Sequence, residues 1–182
     1  MRVLLALLLC ATLASAQTFA VKPTKQLSLK RLHFVIDVSG SVSPKLGQVL
    51  EAVRTLAAPG SDELEIKVTV FSDEAKSWGR GWVAMPGPED MAAAQRLIED
   101  TVHANTRVLS ALTAAMTEET EKPVTVVLVT DGLFVEEPQA LILHAAAKSK
   151  HTLLVYGVGH ENEQTLTALG ALGGGYLTQV AK

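Results

Sequence analysis

Residues 32–41 read LHFVIDVSGS, and the fold turns on how this stretch is parsed. Residues 32–38 are mostly apolar and rich in β-branched side chains, the pattern of a short strand buried on both faces. From Asp37 onward the character changes: Asp37, Ser39 and Ser41 alternate around Gly40. An apolar run that ends in acidic and hydroxyl residues fits the carboxyl end of a strand in an open α/β sheet, where ligands bind.

Downstream, strand-like and helix-like blocks alternate. Ser43-Pro44 reads as a helix start, with Ser43 as N-cap and Pro44 in the first turn. Leu46, Val49, Leu50, Val53 and Leu56 then recur at helical spacing until Pro59-Gly60. Residues 66–71 (IKVTVF) predict a second strand, and 82–85 a weaker one after Gly79-Arg80-Gly81. Pro86-Gly87-Pro88 breaks the chain before a helix over 89–102, with a short helix over 108–116. Residues 124–130 (VTVVLVT) predict the most central strand. Helix over 137–148, strand over 152–158, helix over 162–172 and strand over 176–180 complete the chain. The expectation is a Rossmann-like, doubly wound, mostly parallel six-stranded sheet, with helices on both faces and one antiparallel edge strand.

Upstream, residues 17–30 form a polar N-terminal lead-in without clear periodicity, so the domain is expected over 31–182. Residues 1–16 are of another kind: Arg2, an apolar core over 3–13, and Ala14-Ser15-Ala16. These are the parts of a signal peptide cleaved after Ala16, which predicts a secreted or periplasmic protein beginning at Gln17. The apolar run is short for a membrane span, so no transmembrane segment is expected after cleavage. The bulky Leu9 before Cys10 argues against a lipoprotein anchor. Cys10 is the only cysteine, so its removal leaves a domain without disulfides or thiolate metal ligands.

The 182 residues suit one domain, and 48% hydrophobic with 19% charged residues excludes a disordered chain. A formal net charge of -3 and the lack of any Lys/Arg run give no reason to expect nucleic acid.

Three motifs fall beside the predicted strand ends: Asp37-Val38-Ser39-Gly40-Ser41, Asn105-Thr106-Arg107 and Thr130-Asp131-Gly132. Alternate residues of an extended loop point the same way, so Asp37, Ser39 and Ser41 can converge. With Thr106 and Asp131 they make two carboxylates and three hydroxyls. An all-oxygen set selects a hard cation, Mg²⁺ first, with Mn²⁺ or Ca²⁺ also possible. Only two charged ligands leave room for water or an acidic group from a partner. Each motif alone is compatible with a turn. Their joint order argues for a site.

These residues resemble the von Willebrand factor type A (vWA) family and its metal-ion-dependent adhesion site (MIDAS). Asp37, Ser39 and Ser41 match its D-x-S-x-S, and Asp131 in VTDG matches the later aspartate. Thr106, six residues before Leu112, matches its threonine, and FSDEA at 71–75 and GGGY at 173–176 are similar to further landmarks. The likeness spans about residues 31–180. It implies direct ligation by Ser39, Ser41 and Thr106, with Asp37 and Asp131 often acting through water, and a partner's Asp or Glu completing the shell.

The five histidines show no ligand spacing and read as structural. Trp78 and Trp82 flank a turn, suited to packing at the sheet edge or to an exposed contact patch. Residues 132–137, just after Asp131, suit a partner-selecting rim or the cap of the next helix. Gly157-Val158-Gly159 lacks the third glycine of a dinucleotide fingerprint, and no G-x-S-x-G supports a serine hydrolase. The expected function is therefore metal-dependent protein binding or cell adhesion, not catalysis. The alternatives are a hydrolase using the ion as Lewis acid on a phosphorylated substrate, with Glu136 or His103 as base, and a purely structural ion. Partner identity and oligomeric state are not encoded in any motif.

Overall fold

The computed structural model describes residues 17–57, 63–101, 105–135, 148–159 and 162–179. Its frame is one sheet of strands β1 (Gln17–Val21), β2 (Arg31–Asp37), β3 (Glu65–Phe71), β4 (Ala75–Ser77), β5 (Val83–Ala84), β6 (Thr125–Thr130), β7 (Thr152–Gly157) and β8 (Tyr176–Gln179). The order across the sheet is β1-β8-β7-β6-β2-β3-β4, with β5 also paired to β3. Strands β8, β7, β6, β2 and β3 are parallel neighbours in turn. β1, β4 and β5 are antiparallel to their partners. The α/β, mostly parallel architecture is as expected, but the sheet has eight strands rather than six, and three antiparallel strands rather than one.

Two strands escape the sequence pattern. β1 comes from the polar lead-in, and Thr18 and Phe19 pair with Thr178 and Leu177 at the far end of the chain. β4 has the sequence AKS and is exposed throughout. β4 is held by its ladder hydrogen bonds and not by an apolar face of its own, whereas β1 adds Phe19 and Val21, which pack against the core from a segment too polar to show a strand pattern.

Helices α1 (Leu46–Leu56), α2 (Pro88–Glu99), α3 (Val108–Thr117) and α4 (Glu163–Gly170) cover the sheet. Alternation along the strands divides the core. Phe34, Ile36, Val127 and Val129 pack with Val49, Val53 and Ile98 of α1 and α2. Val35, Val126, Leu128 and Val155 pack with Leu112 and Met116 of α3 and Leu166 of α4. Each such buried side chain contributes about 1.5–3 kcal/mol relative to exposure. That is why β6 and β7, buried at every position, were the most legible strands.

Ser43 is not a helix N-cap. It opens a 3-10 turn, Ser43–Lys45, which has no side-chain cap, and the α-helix begins at Leu46. The backbone N–H groups of Val42 and Ser43 both donate to the Ser39 carbonyl, at 3.1 and 3.0 Å. A carbonyl of the D-x-S-x-S loop thus anchors the turn that leads into the helix. The helix expected over 137–148 lies almost wholly outside the described residues.

A buried polar cluster occupies the opposite half of β2. His33 Nε2 lies 2.9 Å from Thr69 Oγ1, and its Nδ1 lies 3.3 Å from Glu118 Oε2. Glu118 also accepts from Lys67 at 2.8 Å and from the Trp82 indole at 3.2 Å. The Arg31 guanidinium stacks 4.2 Å from the Trp82 ring centroid. Burial and the Lys67 charge, opposed by Glu118, push His33 down to about 4, so it is neutral at physiological pH. His151 accepts from the Val124 N–H at 3.2 Å and meets the Glu118 carbonyl at 2.8 Å. Both described histidines are therefore structural, as expected. Trp78 is buried in the core, and the half-buried Trp82 packs edge-on against His33 in this cluster.

Candidate metal centre

The chain runs from β2 outward to β3 on one side and later returns to β6 on the other. β2 and β6 therefore flank the switch point of the sheet, where the crevice at the strand ends accepts ligands. Asp37 is the last residue of β2, and Asp131 immediately follows β6.

Hydrogen bonds draw these two ends together. Asp37 is fully buried; its Oδ1 accepts from the Ser39 N–H at 2.9 Å and its Oδ2 from the Thr130 hydroxyl at 2.7 Å. The Thr130 oxygen in turn accepts from the Gly132 N–H at 3.0 Å. Ser39 Oγ and Ser41 Oγ lie 3.2 Å apart, so two of the three hydroxyls converge. Asp131 Oδ1 accepts from the Leu133 N–H at 3.1 Å, which folds the following loop back on the carboxylate. Gly132 adopts φ +80°, and a Cβ there would come within 3.1 Å of Leu166. The Gly132 carbonyl accepts from the Asn162 amide at 2.9 Å, fastening the loop to the start of α4.

Thr106 is buried in the segment leading to α3. Its carbonyl accepts from the Val135 N–H at 3.1 Å, and the Arg107 N–H donates to the Ser72 carbonyl at 2.8 Å. That segment is thereby stitched between the loops after β3 and β6, on the same edge as the two aspartates. Glu136 and His103, the bases that a hydrolase would need, lie outside the described residues.

Burial pushes the Asp37 carboxyl up to about 6, against hydrogen bonds from Ser39 and Thr130 that lower it; the Asp131 charge adds to the rise. Asp131 Oδ2 is fully buried and has no hydrogen-bond donor among the described residues. The Lys45 ammonium stands 3.5 Å from that oxygen, which gives it an ion-pair partner but no hydrogen bond, so a buried carboxylate oxygen beside a second buried carboxylate keeps capacity for a further cation. Two buried carboxylates and the paired Ser39 and Ser41 hydroxyls are oxygen donors of the kind that suits a hard divalent ion. Among the described residues no group of three or more His, Cys, Asp or Glu side chains is gathered closely enough to hold a metal ion.

Three further residues contribute without a role assigned to them in the sequence, although Thr130 and Ser72 lie within quoted motifs. Thr130 is a hydroxyl that follows the apolar run 126–129 of β6, and that break in pattern was its available signal. Lys45 places its ammonium 3.5 Å from Asp131 Oδ2. Ser72, whose buried hydroxyl has no partner among the described residues, follows β3 at the next strand end.

Sheet order, switch point and oxygen-rich strand ends define a doubly wound α/β domain whose two central strands end in buried carboxylates. The family model described as "von Willebrand factor type A domain" matches residues 30–178, and the chain belongs to that family. Solved structures agree on the fold. An aerotolerance-related membrane protein from Bacteroides fragilis is 18% identical with a TM-score of 0.62, covering 84% of this chain and 91% of that one. A von Willebrand factor type A structure from Catenulispora acidiphila is 18% identical with a TM-score of 0.58, covering 86% of this chain and 44% of that one. The PilB minor pilin of Streptococcus sanguinis is 14% identical with a TM-score of 0.58, covering 81% and 56%. No curated protein matches.

Proposed function

We propose that this chain is an extracytoplasmic binding module that uses a divalent cation, Mg²⁺ foremost, to capture an acidic side chain of a protein partner. The observation that carries the reading is the buried, donor-free Asp131 Oδ2, set beside Asp37 and the paired Ser39 and Ser41 hydroxyls. Asp37, Ser39, Ser41, Thr106 and Asp131 would hold the ion, as the family resemblance implies. A cation there supplies a Lewis-acidic position that a carboxylate can complete. The chain's own residues do the positioning: Thr130 and the Ser39 N–H orient the Asp37 carboxylate, and Leu133 N–H orients Asp131. Leu133 and Val135, exposed just beyond Asp131, supply apolar contact at the rim. Membership of the family and kinship in fold with membrane and pilus proteins support an interaction role over catalysis. Among the described residues no helix is long and apolar enough to cross a membrane. The leader-like residues 1–16 support export, with Gln17 as the mature N-terminus.

Isothermal titration with Mg²⁺ and Mn²⁺ tests the site. Saturable binding that disappears in Asp37→Ala is expected; no binding, or binding unaltered by that substitution, overturns the reading.

A further inference from the structure

We propose that Lys45 is an internal competitor of the divalent cation, an ammonium tethered beside the site that weakens cation binding and steadies the carboxylates when no ion is bound. The inference rests on the cation reading above and concerns what sets the strength of that site.

Lys45 closes the 3-10 turn that directly follows the D-x-S-x-S loop. Its position is fixed by the backbone: Val42 and Ser43 N–H groups share the Ser39 carbonyl, and the Lys45 N–H donates to the Val42 carbonyl at 2.7 Å. The side chain is four-fifths buried and brings Nζ to 3.5 Å from Asp131 Oδ2. That atom is the only buried carboxylate oxygen among the described residues without a hydrogen-bond donor. The contact therefore supplies charge without filling the oxygen's hydrogen-bonding capacity. Two acids buried at adjacent strand ends repel one another, and a nearby positive charge relieves that repulsion. An ammonium can do this as a compact point charge on a flexible stem, and it can swing away. A divalent ion accepted by Asp131 meets the same positive charge at the same oxygen, so it must either displace the ammonium or bind against its repulsion. Removing the charge while keeping the length of the side chain should tighten cation binding.

The experiment is titration of MnCl₂ and MgCl₂ into wild type, Lys45→Met and Lys45→Arg at constant ionic strength, with melting of each protein in chelator. Lys45→Met should lower the Mn²⁺ dissociation constant about tenfold, lower the Tm in chelator and enlarge the Tm rise on adding Mn²⁺. Lys45→Arg, which keeps the charge, should bind as wild type does. Equal or weaker binding by Lys45→Met overturns the proposal while leaving the cation site standing. So does tightening by Lys45→Arg as large as by Lys45→Met, since side-chain shape and not charge would then be the cause. Absence of binding in all three proteins overturns the cation site itself, and this proposal with it.

Discussion

Replacing Asp37 by asparagine should stabilise the cation-free protein at neutral pH and destabilise it in acid. Burial holds the Asp37 carboxyl at about 6 in the folded protein, against 3.8 when unfolded. Between those values the folded state binds the proton that the unfolded state has lost, so stability falls as pH rises through this window. The difference of about two units corresponds to about 3 kcal/mol of destabilisation at pH 7.5 relative to the fully protonated form. Asparagine carries no charge to desolvate. Its amide oxygen can keep the bond from the Ser39 N–H, but its NH₂ faces Thr130 Oγ1, which now donates to Asp37 Oδ2. Reversing that bond costs about 1–2 kcal/mol, because the Thr130 oxygen already accepts from Gly132. The net expectation for Asp37→Asn in chelator is a gain of about 1–2 kcal/mol at pH 7.5 and a loss of similar size at pH 4. Urea unfolding in chelator at both pH values reads this directly. A stability difference between variant and wild type that stays constant within about 1 kcal/mol across the range would refute the burial argument. With Mg²⁺ added the order at pH 7.5 should invert, since wild type gains the binding free energy and the variant does not.

His33 works in the opposite sense over nearly the same window. Its folded value of about 4 lies below the unfolded 6.5, so its contribution is fully present above pH 6.5 and is lost as pH falls toward 4, by about 3 kcal/mol. His33→Gln should therefore lose less stability than wild type between pH 7 and 4, and a parallel pair of pH profiles would contradict this. Gly174→Ala should cost more than about 3 kcal/mol, because the added Cβ would stand 1.8 Å from the Leu153 carbonyl oxygen, a backbone atom that cannot step aside. Urea unfolding within about 1 kcal/mol of wild type would show that the 173–175 turn is not as close to β7 as described. Trp82→Leu should destabilise by about 1–3 kcal/mol through loss of the indole bond to Glu118 and of the Arg31 stack. In a double-mutant cycle with Arg31→Ala, a coupling of about 0.5–1 kcal/mol is expected, and none would mean the two side chains stack without interacting.

Much of the architecture was readable because the central strands are buried on both faces, which calls for continuous, largely apolar runs such as 124–130 and 152–157. The same burial made Asp37 and Asp131 conspicuous: an acid ending such a run has no packing reason to be there. What stayed hidden depends on partners distant in sequence. β1 exists because β8, more than 150 residues later, offers it an edge. Lys45 looks like any surface lysine until the 3-10 turn folds it over Asp131, and the expectation of an N-cap at Ser43 had pointed its helix start elsewhere. The cluster around Glu118 draws on Arg31, His33, Lys67 and Trp82, none of which shares a motif with another.

The pairing of Gln17 with Gln179 across β1 and β8 sets how the domain meets mechanical load. β8 runs parallel to β7, and β7 to β6, so Gln179 lies at the same end of the sheet as Asp131. Both ends of the described fold thus emerge side by side, at the end of the sheet that carries Asp37 and Asp131. Tension applied between them would peel the antiparallel β1–β8 ladder one rung at a time, instead of shearing all rungs together. β1 would yield first as a fuse, while the parallel strands carrying Asp37 and Asp131 stayed intact. A surface or fusion partner joined through either end would, for the same reason, sit next to the strand ends that carry Asp37 and Asp131 and restrict the directions from which a ligand can approach.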